Sequence, residues 1–297
     1  MKAVYDLRYQ HALSTLCRVL RVNRSTYYKH FFGAPAPRNI ENQEIRKAIL
    51  EIHLKSDKIL GGRKIRAVLL RDYGIAICLP RVYRLIKSMN LPKKQTKGLV
   101  GSSFVESLSS DDNKLDQNFK QNSPNLVWVS DVTYIRAGGS WAYLCAVIDL
   151  FSRKVIAYRI SRKFDADLAC ETILDALRRR GYPRGLMFHS DRGAQYTAFA
   201  TRNILDKYDI VQSFSNKGHP WDNAVNESFF RYLKEERTNR DSYRSLDELK
   251  LEVFKYIESF YNSYRPHGSI GYLTPDEAER RFYTEGRTPL CVKSITS

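Results

Sequence analysis

Apolar residues follow a helical spacing before residue 92 and a strand-like spacing after residue 126. Leu13 and Leu16 mark one face of a short helix, with Ser14 as its predicted cap. Asn23 breaks that pattern, and Ser25 is predicted to cap a second helix that ends at residue 28. Two short helices across a tight turn indicate a helix-turn-helix or a plain helical hairpin, and the pattern leaves both open. The candidate DNA contacts on the second helix are Arg24, Ser25, Thr26 and Lys29.

A second helical unit is predicted over residues 38–92. Isoleucines recur at helical spacing, the pair Gly61-Gly62 separates two helices, and Pro80 lies in the first turn of a third. Basic side chains lie on the polar faces of these helices, which suits contact with DNA phosphates, although a solvated face accounts for the same pattern. The candidate contacts are Arg63, Lys64, Arg81 and Arg84.

The pattern changes to alternating strands and helices in the second half of the chain. Strands are predicted at 127–135, 141–150, 154–160, 186–188 and 210–214, and helices at 165–180, 197–208, 223–236 and 246–264. Three consecutive strands followed by alternating helices and strands predict an α/β fold with a mixed sheet and flanking helices. The predicted domains are a helix-turn-helix-like segment (1–34), a helical DNA-binding domain (38–92), a polar linker (93–124), the α/β core (125–275) and a C-terminal tail (276–297).

Charge is distributed unevenly over these parts. The net charge is +17, and residues 1–125 hold 23 basic and 10 acidic residues against 26 and 22 in residues 126–297. A basic front part beside a balanced back part indicates a polyanion-binding module, although charge alone is equally consistent with a well-solvated basic surface. Because no apolar run approaches the about 18 residues of a membrane span, and no secretory signal is present, we expect a soluble cytoplasmic protein without membrane contact.

Three carboxylates are placed where a catalytic site would form. Asp131 lies in the middle of a predicted strand, Asp191 follows a strand, and Glu227 lies in a helix with 35 residues between it and Asp191. A carboxylate inside an apolar strand is costly unless it is paired or binds a metal. Two Mg²⁺ ions about 3.5–4 Å apart, held by such carboxylate oxygens, would bind both the attacking and the leaving oxygen of a phosphodiester exchange. The residues alone leave a metal site and ordinary surface, capping or ion-pair roles equally open.

Several motifs in order give these carboxylates a context. Residues 131–134 (DVTY), 189–196 (HSDRGAQY) and 218–230 (GHPWDNAVNESFF), followed by Leu233-Lys234, resemble the DDE signatures of bacterial insertion-sequence transposases with a retroviral-integrase-like catalytic core. Residues 261–262, 265–267 and 271–275 resemble the closing motif of the same group. The helical front half is also similar to the second-reading-frame protein of that group.

The resemblance implies a ribonuclease-H-like fold in which Asp131, Asp191 and Glu227 bind two Mg²⁺ or Mn²⁺ ions. Lys234, two helical turns after Glu227, would hold a DNA phosphate. Asn223, one turn before Glu227, would orient it or a phosphate. Four further residues have weaker interpretations: a packed strand end for His189, a DNA contact for Gln195, and either base stacking or core packing for Trp221 and Tyr134.

The function that the resemblance implies is metal-dependent nicking of element ends and transfer of their 3′-hydroxyls, which leads to DNA transposition. The expected partners are double-stranded DNA of the terminal repeats and target, a dimer or larger assembly on DNA, and a first-reading-frame protein, in the cytoplasm at the bacterial nucleoid. Two other classes are a non-catalytic DNA-binding regulator and a nuclease for RNA–DNA hybrids. The acidic triad argues against the regulator, and the basic helical front half together with Lys234 favours duplex DNA over hybrids.

Overall fold

Helices form the whole of the described front part of the chain. The computed structural model describes residues 1–33, 37–92, 112–216 and 220–285. Within these ranges no helix is long and apolar enough to cross a membrane. The front helices are α1 (Lys2–Asp6), α2 (Leu13–Val19), α3 (Arg24–Phe31), α4 (Pro37–Lys55), α5 (Gly62–Tyr73) and α6 (Leu79–Ser88).

The predicted pair of short helices is present as α2 and α3, but both predicted caps are wrong. Helix α2 begins after Ala12, which provides no side-chain cap. Asn23 caps α3, because its side-chain oxygen accepts hydrogen bonds from the backbone amide (2.9 Å) and the hydroxyl (2.7 Å) of Ser25. The residue that interrupts the apolar pattern is therefore the one that starts the second helix.

The second half of the chain folds around a five-stranded mixed sheet, as expected. The strands are β1 (Val127–Ala137), β2 (Ser140–Asp149), β3 (Val155–Ser161), β4 (Met187–Ser190) and β5 (Val211–Phe214). Their order in the sheet is β3-β2-β1-β4-β5, with β1, β2 and β3 antiparallel and β4 and β5 parallel to β1. With the helical region in front, this arrangement confirms the predicted fold class.

Helices cover both faces of this sheet, because residues alternate between the faces along each strand. They are α7 (Ala166–Arg180), α8 (Ala194–Thr197), α9 (Phe199–Lys207), α10 (Ala224–Leu233), α11 (Leu246–Phe254) and α12 (Pro275–Glu285). Val129 and Ile135 of β1 pack on the side of α10 and α11, whereas Trp128 and Val132 pack on the side of α7. Helices α10 and α11 each continue into a π-helical segment, Lys234–Thr238 and Lys255–Asn262.

Two residues of the predicted linker and tail pack against the α/β unit. Leu115, placed in the linker, is buried in the core of the α/β unit. Glu279, placed in the tail, is buried on α12, where its carboxylate lies 2.6 Å from Arg180 and 3.4 Å from Lys154. Apolar and charged partners remote in sequence hold both segments to the core. Residues 93–111 of the linker and 286–297 of the tail lie outside the described residues, and the division into domains stays a prediction.

A buried ion pair in the second half of the chain lies where the front unit contacts it. The guanidinium of Arg265 lies 2.7 Å from the carboxylate of Glu236, and the side chains are only 2% and 9% exposed. Tyr256 donates a hydrogen bond of 2.8 Å to the same carboxylate, and the Arg265 guanidinium lies 3.9 Å from the centre of the Tyr232 ring. Lys64 of α5 approaches Glu236 to 3.9 Å from the front unit. One carboxylate thus contacts α5 and both π-helical parts of the core.

We expect Arg265→Met to lower the free energy of unfolding by about 3–5 kcal/mol, because it leaves the Glu236 charge buried without its main partner. Urea denaturation followed by circular dichroism measures the change. Glu44→Gln is the matched control, because its ion pair with Lys47 is exposed and is worth at most about 1 kcal/mol. Equal small effects of the two variants would contradict a central role for the buried pair.

Candidate active site

The register of two parallel strands brings Asp131 and Asp191 together. Ser130 of β1 pairs with Ser190 of β4, and each aspartate is the next residue of its chain. Neighbouring strands lie about 4.8 Å apart, so the two carboxylates project from adjacent positions at the point where the parallel pairing ends. The predicted convergence of these two residues is therefore a direct result of the ladder.

Backbone amides fix both aspartates. Asp131 accepts a hydrogen bond of 2.7 Å from the amide of Val132, and Asp191 accepts one of 3.0 Å from the amide of Gly193. A side chain at Gly193 would overlap the amide group of Gln195, so a larger residue there would have to displace the Gln195 side chain. Gln195 is itself buried, and its side chain packs against this turn behind Asp191. The structure therefore gives Gln195 a packing position rather than an exposed surface for DNA.

Glu227 is placed by the start of α10. Asn223 donates a hydrogen bond of 3.4 Å to the carbonyl of Ser130, directly before Asp131, and accepts one of 3.1 Å from Asn226. These contacts tie α10 to the catalytic end of β1, one helical turn before Glu227. Asn223 thus positions the helix that carries Glu227, whose own side chain is exposed.

Burial and mutual repulsion dominate the electrostatics of the site. Burial, then the neighbouring Asp191 and Glu227 charges, raise the pKa of Asp131 to about 7, against the opposing effects of the Val132 amide and Lys234. Burial also raises the pKa of Glu227, which Arg231 counteracts, and it lowers the pKa of Lys234, which the Asp131 charge counteracts. The site therefore concentrates negative charge that a cation would neutralise.

Carboxylate oxygens are the ligands that Mg²⁺ and Mn²⁺ prefer, so the chemistry of this donor set fits such ions. Within the part of the chain that the structure describes, no three His, Cys, Asp or Glu residues lie close enough together to hold a metal ion. Asp131 and Asp191 form the adjacent pair, and Glu227 lies within electrostatic range of Asp131. The arrangement is a two-carboxylate site with a third carboxylate on the facing helix.

The other residues identified from the motifs differ in how far their side chains are buried. His189 is buried, its ring nitrogens lie 2.9 and 3.1 Å from the hydroxyls of Ser213 and Ser215, and burial lowers its pKa to about 4. It is a packed, neutral strand residue, as predicted. Tyr134 is 58% exposed, which excludes core packing for its side chain, whereas Trp221 is half-buried. The Lys234 ammonium lies 4.8 Å from the centre of the Tyr134 ring.

Sequence reasoning missed Asp222, which holds the loop before α10. Its carboxylate is buried and accepts hydrogen bonds from the side chains of Asn113 (2.9 Å) and Gln117 (3.1 Å) and from the amide of Asn216 (2.9 Å). Two of these partners lie more than one hundred residues away along the chain. The sequence carried no signal for this contact except the motif in which Asp222 stands.

The candidate DNA contacts of the front part differ in their surroundings. Lys64 faces the core, where burial lowers its pKa to about 8 against the effect of Glu236. Arg81 lies 2.8 Å from Glu41 and donates to Asn42. These two side chains are engaged within the protein, in contrast to the predicted phosphate contacts. The exposed candidates are Arg24, Ser25, Thr26, Lys29, Arg63 and Arg84.

Comparisons with known proteins show which families this chain is similar to. Residues 121–220 and 208–275 match the family model described as integrase core domain, and residues 41–98 match the model described as HTH-like domain. The crystal structure of the catalytic core domain of BIV integrase matches with a TM-score of 0.41 at 20% identity, covering 55% of this chain and 99% of that one.

Relatives of similar length cover nearly the whole chain. The insertion element IS600 uncharacterized 31 kDa protein of Shigella sonnei is 31% identical over 269 residues, which are 90% of this chain and 98% of that protein. Transposase InsF for insertion sequence IS3A of Escherichia coli (strain K12) is 33% identical over 288 residues, which are 95% of this chain and 99% of that protein. The resemblance inferred from the motifs is confirmed: the chain belongs to the family of insertion-sequence transposases that includes InsF of IS3.

Proposed function

We propose that this transposase nicks the ends of its element and transfers the resulting 3′-hydroxyls to target DNA, with divalent metal ions held by Asp131, Asp191 and Glu227. The observation that carries the proposal is the pairing of Ser130 with Ser190, which puts Asp131 and Asp191 side by side. The tie between Asn223 and the Ser130 carbonyl then directs Glu227 toward the same end of the sheet.

Each of these residues has a different role in the proposed phosphodiester exchange. Two bound Mg²⁺ or Mn²⁺ ions would activate the attacking water or 3′-hydroxyl and stabilise the departing oxygen. Asp131 and Asp191 provide fixed carboxylates, because backbone amides hold their orientation. Lys234, whose ammonium lies above the Tyr134 ring, holds a DNA phosphate beside the reacting bond.

The front part supplies the affinity for duplex DNA in this proposal. Arg24, Ser25, Thr26 and Lys29 contact DNA from α3, and Arg63 and Arg84 contact phosphates from α5 and α6. Synapsis of two element ends needs two active sites, so the protein acts as a dimer or larger assembly on DNA, together with a first-reading-frame protein where the element encodes one. Such a complex works in the bacterial cytoplasm, at the nucleoid.

We expect Asp131→Asn and Glu227→Gln to abolish nicking and strand transfer while DNA affinity stays within about twofold, because each removes a metal ligand without removing a basic contact. The assay incubates duplexes of both element ends with Mg²⁺ and resolves the products on denaturing gels. Asp206→Asn, an exposed carboxylate on α9, is the matched control and should keep full activity. Wild-type activity in either triad variant would disprove the assignment of that residue.

We also expect Asp131→Asn to make the metal-free protein more stable at about pH 8, by an amount on the order of 1 kcal/mol. The pKa of about 7 in the folded protein exceeds the ordinary value of 3.8, so folding takes up a proton at this group. The Asp131 contribution therefore lowers the free energy of unfolding as pH rises from about 4 to 7.

Urea denaturation of wild type and Asp131→Asn in a chelator, at about pH 8 and about pH 5, measures this effect. The advantage of the variant should shrink at the lower pH, where the wild-type carboxyl is protonated when folded. Asp206→Asn should show no such pH dependence. A variant that is less stable than wild type at the higher pH would contradict the repulsion between the carboxylates.

A third expectation concerns the basic front part. With a net charge of +17, DNA affinity should fall steeply with salt. Lys29→Ala should weaken binding and lower the slope of log affinity against log salt by about 1, because one phosphate contact is lost. Fluorescence anisotropy on a terminal duplex measures both, with Lys250→Ala, an exposed lysine of the core, as the control. An unchanged slope in Lys29→Ala would remove α3 from the DNA interface.

A further inference from the structure

Among the described residues, no strand pairs with one edge of β1 beyond the candidate active site. Strand β4 pairs with β1 only over Val127–Ser130, whereas β1 continues to Ala137, which forms a bridge with Tyr243. A groove with a volume of about 590 Å³ lies between this edge and the chain that follows α10. Its volume is within the range of roughly 300–1,000 Å³ that small-ligand sites have.

Two exposed aromatic rings line this groove. Tyr134 and Trp141 are 58% and 51% exposed, and their ring centres lie 5.1 Å apart at an angle of 87°. Arg136 pairs with Trp141 in the sheet, so Tyr134 and Trp141 share the face of the hairpin on the α7 side. The two rings are in contact and form one joint aromatic surface, and tyrosine and tryptophan are enriched at binding interfaces because they combine a large apolar ring with a polar group.

Cations accompany the two rings. The Lys234 ammonium lies 4.8 Å from the centre of the Tyr134 ring, and the Arg136 guanidinium lies 5.9 Å from that of Trp141. Against these two, the acidic residue Asp241 also lines the groove. Aromatic rings with neighbouring lysine and arginine side chains are the combination by which proteins bind unpaired nucleic acid, because bases stack on the rings and phosphates contact the cations.

Two hydroxyl groups in the wall of the groove lack partners. Thr238 and Tyr243 are buried and line the groove, and among the described residues neither hydroxyl has a hydrogen-bond partner. Because these oxygen atoms are enclosed by the protein, this wall contributes shape to the groove, and the rings and cations supply its affinity.

We infer that the groove between the free edge of β1 and residues 238–243 binds an unpaired nucleotide of the DNA strand, which stacks on Tyr134 and Trp141. Tyr134 is the third residue after Asp131, which is about 10 Å along a strand, so the nucleotide lies close to the reacting phosphate. The inference rests on the proposed function for the identity of that phosphate, but binding in the groove requires no cleavage. The alternative occupant is a second protein surface, which would not require a cation beside each of the two rings.

The test compares two DNA probes with the full-length protein in the absence of divalent metal. One is a blunt duplex, and the other is the same duplex with a single-stranded overhang that carries a fluorescent adenine analogue, whose emission falls when it stacks. Tyr134→Ala and Trp141→Ala should each bind the overhang probe roughly tenfold more weakly and restore its emission, with little change for the blunt duplex. Phe199→Ala removes a ring that is 84% exposed and does not line the groove, so it should behave like wild type.

Each outcome decides the inference. Tighter binding of the overhang probe with quenched emission, lost in both variants and retained in Phe199→Ala, supports it. Equal wild-type binding of the two probes without quenching overturns it, and so does a change in self-association of the variants without a change in DNA binding. The proposed function is judged separately by wild-type nicking of element ends, so either proposal can fail while the other stands.

Discussion

The enforced proximity of two carboxylates in a parallel ladder is the constraint on which the active site depends. Once Ser130 pairs with Ser190, Asp131 and Asp191 must stand next to each other in a partly buried position. Burial and then the repulsion between them raise the pKa of Asp131, and the Val132 amide and the Lys234 charge oppose this rise. A site arranged in this way stores negative charge for a cation, at the expense of the stability of the metal-free fold.

The buried ion pair of Glu236 and Arg265 lies at the contact between the catalytic-core helices and the front unit. Glu236 lies in the π-helical continuation of α10, so the helix that carries Glu227 ends in a contact shared with Lys64 of the front unit. Tyr264 adds an apolar contact, because it joins the core of α4, α5 and α6. Ion pair and apolar contact together dock the predicted DNA-binding helices beside the catalytic helix. In the proposed function, this position would let contacts on duplex DNA determine which phosphate reaches the carboxylates.

Sequence patterns predicted the features that depend on interactions between residues near each other in the chain. The spacing of apolar residues gave the helices and strands, and the motifs marked the aspartates that the ladder places together. The roles of charged surface side chains were harder to predict, because a single sequence does not show which residue lies opposite each of them in the fold. Lys64 and Arg81 have the same helical setting as Arg63 and Arg84, yet Glu236 and Glu41 engage them. Asp222 and Glu279 were missed for the same reason, since their partners are remote along the chain.

Because side chains alternate between the two faces of β1, this strand presents two different surfaces near the candidate active site. Asp131 projects toward the side of α10, whereas Tyr134 projects toward the opposite side, and Lys234 reaches from α10 to the Tyr134 ring. That contact requires a route around the edge of the sheet, and the early end of β4 at Ser190 provides it. A longer β4 would pair with the rest of β1 and close both the route and the groove. The short strand that aligns the two aspartates therefore also leaves open the edge where an unpaired nucleotide is proposed to bind.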